Sequence, residues 1–468
     1  MLILFKTVYN RNILNRNGSI DIRNNTDPSV REITSLEIQV TNMCNLACTY
    51  CFQRNKSNHT LLPHEYKRIL DILFNDEPDS DKFETFKIKE GRRGYFFLYF
   101  IGGEPLLKIK DIRYFIYLFE EKLEEHNMKD LKWKIGFTSN GTLFFDKDVQ
   151  DFYKEYKDKI WMVTSIDGYS SESNDICRKF KNGKGTFDTI KKTLDYLNAN
   201  KKDDNKVKMK YVISKANLKY LYTDVVKMIK NGYTYIHTGL VEEDNWTTED
   251  ARLYYEQLSR IIDYVIYNVP ELRDNFDLNT ISKHMSTNRF YTHEMLNDEY
   301  VKPCSIFYKE KLTISASGDF IPCMALDESS SGDQVLMSYG NIYTGELQSD
   351  QQKSIYNFLY GGFKLRDFYT YKCANCPCNM RCGGCPGIMY SKIGKIQMCE
   401  SACEMHIVEY LAHTKYYNML CLINKKYRSN NPMDGNLLLP EDICVNIIGF
   451  EEYSTLIALI NGRILSNG

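Results

Sequence analysis

The sequence predicts an α/β protein whose first half is an open parallel sheet or an incomplete barrel. Between residues 34 and 240, short runs rich in β-branched and aromatic residues alternate with amphipathic segments. Such alternation is typical of parallel strands joined by crossover helices. With 468 residues the chain exceeds one ordinary domain, and the cysteine-dense stretch after residue 300 marks a second unit of different character.

Six strand-like segments are short enough to be buried parallel strands. They cover residues 35–41, 95–101, 133–139, 160–166, 207–213 and 233–239. Two of them end in glycine-containing turns, IGGEP and TSNGT. Ligands of such folds bind at the carboxyl ends of the strands, so we expect the functional site there.

The remaining segments suggest further units around this core. Residues 1–33 form an N-terminal extension, 34–245 the barrel, and 246–300 a polar, mostly helical connector. A small α+β domain over 301–415 opens with a hairpin predicted by LTISASGDFIPC, which turns at Ser-Gly-Asp. Residues 416–468 form a short C-terminal extension that includes an aromatic helix.

Composition excludes several function classes. The formal net charge is −1, from 60 basic and 61 acidic residues, so no global attraction to nucleic acid or to an anionic membrane is indicated. No apolar run approaches the length of a membrane span, and the apolar start MLILF is too short for the core of a signal peptide. We therefore expect a soluble, cytoplasmic protein.

The 15 cysteines are concentrated in clusters. Three lie within eight residues near the start, and seven lie between Cys373 and Cys403. A disulfide framework is typical of small secreted domains, which this chain does not resemble in size. The clustering therefore indicates metal binding.

The first cluster follows the first strand directly: Cys44, Cys48 and Cys51 are separated by three and then two residues. Three thiolates so spaced can wrap a loop around one face of an iron–sulfur cubane and leave the fourth iron open. The alternative is zinc or three buried thiols, but zinc prefers four ligands and no fourth lies nearby in sequence. The CxxxCxxC spacing resembles that of the radical S-adenosylmethionine (SAM) superfamily.

This resemblance covers residues 34 to 240 and implies a partial (β/α)6 radical SAM barrel. It implies a SAM site in which Gly102, Gly103 and Glu104 form the GGE motif for the amino group of SAM. The turns after the next two strands, with Ser139, Asn140, Ser165 and Asp167, are similar to the positions that contact ribose and carboxylate. Arg178 resembles the arginine that meets the SAM carboxylate, although a surface salt-bridge arginine is its alternative.

The later cysteines resemble the SPASM extension, which binds two auxiliary [4Fe–4S] clusters. A zinc ribbon is the alternative, but the number of cysteines exceeds the need of one zinc ion. The resemblance assigns three cysteines to the first auxiliary cluster, namely Cys304, Cys323 and Cys385. It assigns four to the second, namely Cys373, Cys376, Cys382 and Cys403. The family's second early cysteine is missing, so either Cys378 or Cys399 is a fourth ligand of the first cluster or one iron is open.

The resemblance implies three [4Fe–4S] clusters, SAM, and a reductant such as flavodoxin or ferredoxin. Enzymes of this type mostly modify peptides or proteins, so we expect thioether or carbon–carbon cross-linking of a ribosomally made peptide. An anaerobic sulfatase maturase that makes formylglycine is an alternative, although Met324 replaces the aspartate that usually follows the position of Cys323. A zinc-ribbon scaffold or binding protein is the alternative of another class. Leader binding falls to a separate protein or to the tail after residue 416, unless that tail only caps the fold.

Overall fold

A computed structural model describes most of the barrel and parts of the C-terminal half. The described residues are 30–91, 93–201, 207–273, 276–278, 281, 309–331, 337–360, 385, 387–388, 401–427, 437 and 439–462. Of the predicted metal ligands, five lie outside these residues: Cys304, Cys373, Cys376, Cys382 and Cys399. Cys378 also lies outside them.

Six parallel strands form the barrel wall in the order β2-β4-β5-β6-β7-β8. Their bounds are β2 Ser35–Thr41, β4 Phe96–Gly102, β5 Trp133–Ser139, β6 Ile160–Ser165, β7 Lys208–Ile213 and β8 Tyr235–Leu240. All six strands predicted from the sequence are therefore confirmed. Each adjacent pair is parallel and joined by a crossover, as the partial (β/α)6 barrel requires.

The crossover segments are helices that cover the outside of the sheet. They are α1 Pro63–Leu73, α2 Ile109–Glu125, α3 Lys147–Tyr156, α4 Ser171–Cys177, α5 Phe187–Ala199 and α6 Leu221–Lys230, and α7 Thr248–Asp263 follows β8. Large aromatic rings fill the space between sheet and helices. The ring of Phe100 in β4 lies 5.6 Å from that of Phe115 in α2 and 5.7 Å from that of Phe137 in β5. Burial of such rings is a main source of stability for the barrel.

The sheet continues beyond β2 into the C-terminal half of the chain. Strand β9 Lys311–Ile314 pairs in parallel with β2, and an antiparallel meander follows through β10 Asp319–Phe320, β11 Gly340–Asn341 and β12 Gly345–Glu346. The predicted hairpin around Ser-Gly-Asp is confirmed as β9–β10. Two further helices, α8 Glu328–Ser331 and α9 Asp350–Tyr360, belong to this part. The barrel and this extension thus share one sheet.

A buried ion cluster ties the N-terminal segment to this meander. Strand β1 Val30–Ile33 pairs with β3 Thr85–Ile88 in a separate two-stranded sheet. Arg31, only 4% exposed, donates to the carbonyl oxygens of Lys309 and Lys311 at 2.7 and 2.8 Å. Its Nη1 lies 3.2 Å from a carboxylate oxygen of Glu84 and 3.8 Å from one of Glu346.

The C-terminal helices pack on the last helix of the barrel. Helix α10 Cys403–Ile423 is buried nearly all round and contacts α7, while α11 Glu441–Ile448 and α12 Phe450–Ile460 lie against the same core. The predicted domain boundary at residue 416 falls inside α10. Among the described helices, none combines the length and apolar character that a membrane crossing needs.

Candidate active site at the carboxyl edge of the sheet

The loop that carries Cys44, Cys48 and Cys51 leaves the carboxyl end of β2 and runs along the segment after α4. The backbone nitrogen of Ala47 donates to the carbonyl of Lys179 at 2.8 Å, and that of Thr49 donates to the carbonyl of Cys177 at 3.0 Å. We call residues 42–51, from the end of β2 to Cys51, the cysteine loop. Because it pairs with the chain that contains Arg178, a residue far away in sequence is fixed beside the three thiols.

The three thiols lie in a partly desolvated position. Cys44 is buried, whereas Cys48 and Cys51 are half-buried. Burial raises the pKa of Cys44 and raises that of Cys48 to about 11, and the nearby Arg178 opposes the shift of Cys48. The Cys44 sulfur accepts a hydrogen bond from the backbone nitrogen of Leu46 at 3.4 Å.

This donor set has the chemistry that an iron–sulfur cubane needs. The cysteine ligands of a cubane bind different irons, so three thiols can hold three of its four irons. Three thiols in one loop, one buried and two half-buried, with a backbone donor to the Cys44 sulfur, fit a [4Fe–4S] cluster.

The Gly102-Gly103-Glu104 turn packs directly on the cysteine loop. A Cβ atom at Gly102 would lie 2.3 Å from the carbonyl oxygen of Thr41, and one at Gly103 would lie 2.2 Å from that of Met43. Both distances are shorter than any real contact, so only glycine fits. The backbone nitrogens of Gly103 and Glu104 also donate to these carbonyls, each at 2.9 Å.

Glu104 ties the ends of β4 and β5 together. Its carboxylate accepts hydrogen bonds from Ser139 Oγ at 2.8 Å, from the Asn140 backbone nitrogen at 2.7 Å and from the Leu106 backbone nitrogen at 3.0 Å. Burial raises the pKa of Glu104, and these donors oppose the shift. The Asn140 side chain donates in turn to Asn45 Oδ1 at 2.8 Å. The structure thus brings Glu104, Ser139 and Asn140 together beside the cysteine loop.

Asp167 and Arg178 form a second buried group, with Tyr50 between them. The Tyr50 hydroxyl donates to Asp167 Oδ2 and accepts from Arg178 Nη1 at 2.7 Å, while Arg178 Nη1 lies 3.6 Å from Asp167 Oδ2. Ser165, also buried, ends β6 just before Asp167. Burial raises the pKa of Asp167, and the charge of Arg178 opposes this. Arg178 is 6% exposed, so the alternative of a surface salt bridge is wrong.

One atom of this group has no partner among the described residues. Arg178 Nε is buried, and no described group accepts a hydrogen bond from it. A buried N–H without an acceptor is costly, so a ligand with a carboxylate is its chemical complement. Sequence reasoning did not select Tyr50, although its position between Cys48 and Cys51 inside the motif was a usable signal.

Three predicted auxiliary ligands are described: Cys323, Cys385 and Cys403. The Cys323 sulfur accepts from the Ala325 backbone nitrogen at 3.5 Å. A Cβ built on Gly387 would lie 2.9 Å from the Cβ of Ala325, and 4.0 Å from the sulfur of Cys385. The turn after Cys323 therefore packs on the Cys385 segment. Cys403 is the first residue of α10.

Sequence reasoning did not select a polar chain that joins the Cys323 turn to the cysteine loop. Asp327 is 1% exposed, and its Oδ2 accepts from Ser329 Oγ at 2.5 Å. The Gln39 amide donates to Ser329 Oγ at 3.4 Å and to Asn42 Oδ1 at 2.6 Å. Within the part of the chain that the structure describes, Asp327 Oδ1 has no hydrogen-bond partner. Isolated polar residues of this kind carry no motif, so only the fold reveals the chain that they form.

Comparison with known proteins identifies the barrel. A profile of the Radical SAM superfamily matches residues 38–216. An uncharacterised protein from Methanocaldococcus jannaschii is 34% identical over 160 residues, which are 33% of this chain and 46% of that protein. This chain thus spans under half the length of that relative.

Two longer but more distant similarities concern larger parts of the chain. The radical SAM cyclopropyl synthase TigE from Paramaledivibacter caminithermalis is 23% identical over 80% of this chain and 72% of its own length. The solved structure of anSMEcpe with bound AdoMet and the Cp18Cys peptide aligns with a TM-score of 0.56 at 18% identity, covering 84% of this chain and 99% of that one. This likeness shows a shared fold.

Proposed function

Because this chain carries a radical SAM domain, we propose that it is a peptide or protein maturase that cleaves SAM reductively and abstracts hydrogen from a ribosomally made peptide. The product we propose is a thioether or carbon–carbon cross-link. One observation carries the proposal: the cysteine loop, the Gly102-Gly103-Glu104 turn and buried Arg178 form one hydrogen-bonded site at the carboxyl edge of the sheet.

Each part of this site has a task in binding. Cys44, Cys48 and Cys51 would hold the cluster, which when bound supplies the electron that splits SAM into methionine and a 5′-deoxyadenosyl radical. Arg178, held by Tyr50 and Asp167, offers its unpartnered Nε to the SAM carboxylate.

The strand ends supply the other contacts that we propose for SAM. The turn at Gly102, Gly103 and Glu104 lies against the cysteine loop, and we propose that it meets the amino group. Ser139 and Asn140 lie beside Glu104, where we propose that they line the ribose side. Ser165 and Asp167 complete the edge at β6.

We propose that the extension after β9 holds two auxiliary [4Fe–4S] clusters. The packing of the Cys323 turn on the Cys385 segment supports the assignment of these two residues to one cluster. Cys304 would be their third ligand, with Cys399 or Cys378 as a fourth or with one iron open. Cys373, Cys376, Cys382 and Cys403 would bind the second cluster.

The proposed substrate is a peptide. The relative TigE is a cyclopropyl synthase, which supports bond formation at carbon as the type of reaction. In anSMEcpe the shared fold holds both AdoMet and a peptide. For a thioether, the substrate gives up one hydrogen atom from carbon, one proton from the thiol and one electron to the enzyme's redox centres. A flavodoxin or ferredoxin would supply the electron for SAM cleavage, and leader binding would use the tail after residue 416 or a separate protein.

Formylglycine formation in a sulfatase is a second candidate. The observation that favours it is Asp327, a buried carboxylate four residues after Cys323 with one oxygen unpartnered. Such a group can accept the proton of a substrate thiol. This candidate predicts that a Cys-containing sulfatase peptide is converted, whereas the cross-linking proposal predicts that it is not.

Anaerobic purification tests the proposal in two stages. The protein should contain iron and sulfide, about twelve irons per chain for three clusters. With SAM and dithionite it should release 5′-deoxyadenosine, and Cys48→Ala should not. Zinc without sulfide would instead support a zinc-ribbon scaffold. Mass spectrometry of candidate peptides co-expressed with the enzyme then detects a cross-link, because either cross-link removes hydrogen from the peptide without adding atoms. Alkylation of free thiols distinguishes the two bonds, because a thioether consumes the cysteine thiol and a carbon–carbon bond does not.

A further inference from the structure

A buried carboxylate at the end of the barrel contacts both described C-terminal cysteine segments. Glu242 follows β8 by two residues and is 4% exposed. Its Oε1 accepts a hydrogen bond from the Cys385 backbone nitrogen at 3.3 Å. Its Oε2 lies 3.3 Å from His406 Nε2, and its backbone carbonyl accepts from Ser401 Oγ at 3.2 Å.

His406 extends this contact into α10 and the barrel helix α7. Its ring is 6% exposed, and its second nitrogen, Nδ1, lies 3.1 Å from Glu409 Oε2. The other oxygen of Glu409 accepts from the Tyr254 hydroxyl at 3.2 Å. Each nitrogen of His406 thus faces a carboxylate, so the ring is held in one orientation.

The position of His406 links it to Cys403. The two residues are three apart in α10, so they lie on the same side of that helix, one turn from each other. The chain just before Cys403 is also fixed, because Ala402 is fully buried against Trp246 in the loop after β8. The loop from Val241 to Trp246 therefore packs against the start of α10.

Burying a carboxylate costs free energy unless its oxygens are hydrogen-bonded. Apolar side chains would stabilise this contact between the loop and α10 as well or better. A hydrogen-bonded polar pair instead fixes the orientation of the groups that it joins. Glu242 contacts the backbone of one predicted ligand, Cys385, and the side chain one turn away from another, Cys403. Two predicted ligands, 18 positions apart in the sequence, therefore share one anchor.

We propose that Glu242 and His406 are a positioning pair for the auxiliary iron–sulfur clusters, an inference that rests on the proposed function. By holding Cys385 and the start of α10 to the same carboxylate, the pair fixes the first and second auxiliary clusters relative to each other and to the carboxyl edge of β8. The cysteine loop shares no residue with this anchor, so SAM cleavage does not depend on it.

The test compares four variants of the anaerobically reconstituted full chain with wild type: Glu242→Ala, His406→Ala, Glu242→Gln and His406→Gln. The matched controls are Glu256→Gln and His126→Gln, the same substitutions at more exposed ion-paired positions. Iron and sulfide content, the electron paramagnetic resonance (EPR) spectrum of the reduced protein and 5′-deoxyadenosine formation without substrate are measured for each.

The alanine variants should lose at least one auxiliary cluster, about four of about twelve irons, and keep the cluster that cleaves SAM. Formation of 5′-deoxyadenosine without substrate should stay at the wild-type level, which also shows that the barrel is folded. The glutamine variants should keep their iron but show altered auxiliary EPR signals. In Glu242→Gln the auxiliary midpoint potential, measured by redox titration, should differ from wild type, because an amide replaces the carboxyl group that accepts from the Cys385 backbone nitrogen. The controls should match wild type.

If the iron content, the EPR spectra and the midpoint potentials of all four variants matched wild type, the positioning role of Glu242 and His406 would be wrong. The proposed function would be unaffected. Loss of all clusters and of 5′-deoxyadenosine formation in all four would also overturn the positioning role, because the pair would then stabilise the whole chain. A wild-type protein with only one cluster would overturn the auxiliary part of the proposed function, and the pair with it.

Discussion

The two cysteine regions of this chain are assembled in opposite ways. The cysteine loop places Cys44, Cys48 and Cys51 within eight consecutive residues, directly after a barrel strand. The described cysteines that are predicted auxiliary ligands, Cys323, Cys385 and Cys403, come from separate segments that are joined only by tertiary contacts. The ligands of a local loop form a motif that can be recognised in the sequence. A site built from separate segments depends instead on the tertiary contacts between those segments.

The contacts differ accordingly. The cysteine loop is fixed by backbone hydrogen bonds to the segment after α4 and to the Gly102-Gly103-Glu104 turn. The auxiliary region is attached to the barrel by the pairing of β9 with β2 and by side chains such as Glu242 and Arg31. We therefore expect the first region to work without the second, and the second to be the more sensitive to single side-chain changes.

The largest effects on activity should come from removing one predicted cysteine ligand in each region separately. Cys48→Ala should abolish 5′-deoxyadenosine formation, because no other described thiol can replace a ligand within the loop. Cys385→Ala should leave 5′-deoxyadenosine formation without substrate intact and abolish peptide modification. Chromatography of the nucleoside and mass spectrometry of the peptide measure the two activities. If Cys385→Ala also stopped SAM cleavage, the two regions would not be independent.

Arg178→Gln should have the next largest effect, on stability and on SAM affinity together. The change leaves Asp167 buried without its cation, which costs about 3–5 kcal/mol in comparable sites. Loss of a charged partner for the SAM carboxylate should weaken binding at least about tenfold. Urea unfolding and calorimetric titration with SAM measure these effects, with Arg113→Gln, which breaks an exposed ion pair with Glu155, as the control. Unchanged SAM affinity would remove Arg178 from the proposed site.

The comparison also explains how far the sequence could be interpreted. All six barrel strands were predicted to within one or two residues, because each is a compact run of β-branched and aromatic residues between polar helices. The glycine turn after β4 contacts the cysteine loop, and its role in binding SAM stays a prediction. The pairing of β9 with β2 had no local signal, because it joins segments far apart in the sequence.

The site was only partly predictable for the same reason. Glu104 and Asp167 were selected from the family resemblance and from their positions at strand ends, but their partners Leu106 and Tyr50 follow from three-dimensional packing. Glu242 and His406 look like ordinary residues in the sequence, since one acid and one histidine separated by 163 residues form no pattern. The assignments of individual residues to SAM or to clusters remain predictions.

Gly103→Ala should have a smaller but clear effect, confined to the first region. The new methyl group would meet the carbonyl oxygen of Met43 at 2.2 Å, and this carbonyl belongs to the backbone just before Cys44. Forcing extra volume into a packed position costs about 1–3 kcal/mol. We expect lower iron occupancy of the SAM-cleaving cluster and slower 5′-deoxyadenosine formation. Gly91→Ala is the control, because Gly91, like Gly103, has no positive φ, and its new methyl group would come no closer than 3.2 Å to another atom, the Cβ of Thr34.

The smallest expected effect is on the pH dependence of the unfolding free energy, at the contact between β1 and the antiparallel meander. Burial and the nearby Glu84 raise the pKa of Glu346, while Arg31 opposes this. The folded chain therefore binds this proton more tightly than the unfolded chain, and stability should fall as the pH rises from the ordinary glutamate value towards the raised one.

Glu346→Gln removes the charge but keeps an oxygen that can accept from the Glu84 backbone nitrogen, which lies 3.0 Å from Glu346 Oε2 in the wild type. Its unfolding free energy should exceed that of wild type at pH 8 by about 1 kcal/mol and match it near pH 4. Glu256→Gln, on an exposed helix face, should follow the wild-type pH profile. A Glu346→Gln variant that is less stable at pH 8 would show that the Arg31 ion pair outweighs the cost of burying the carboxylate.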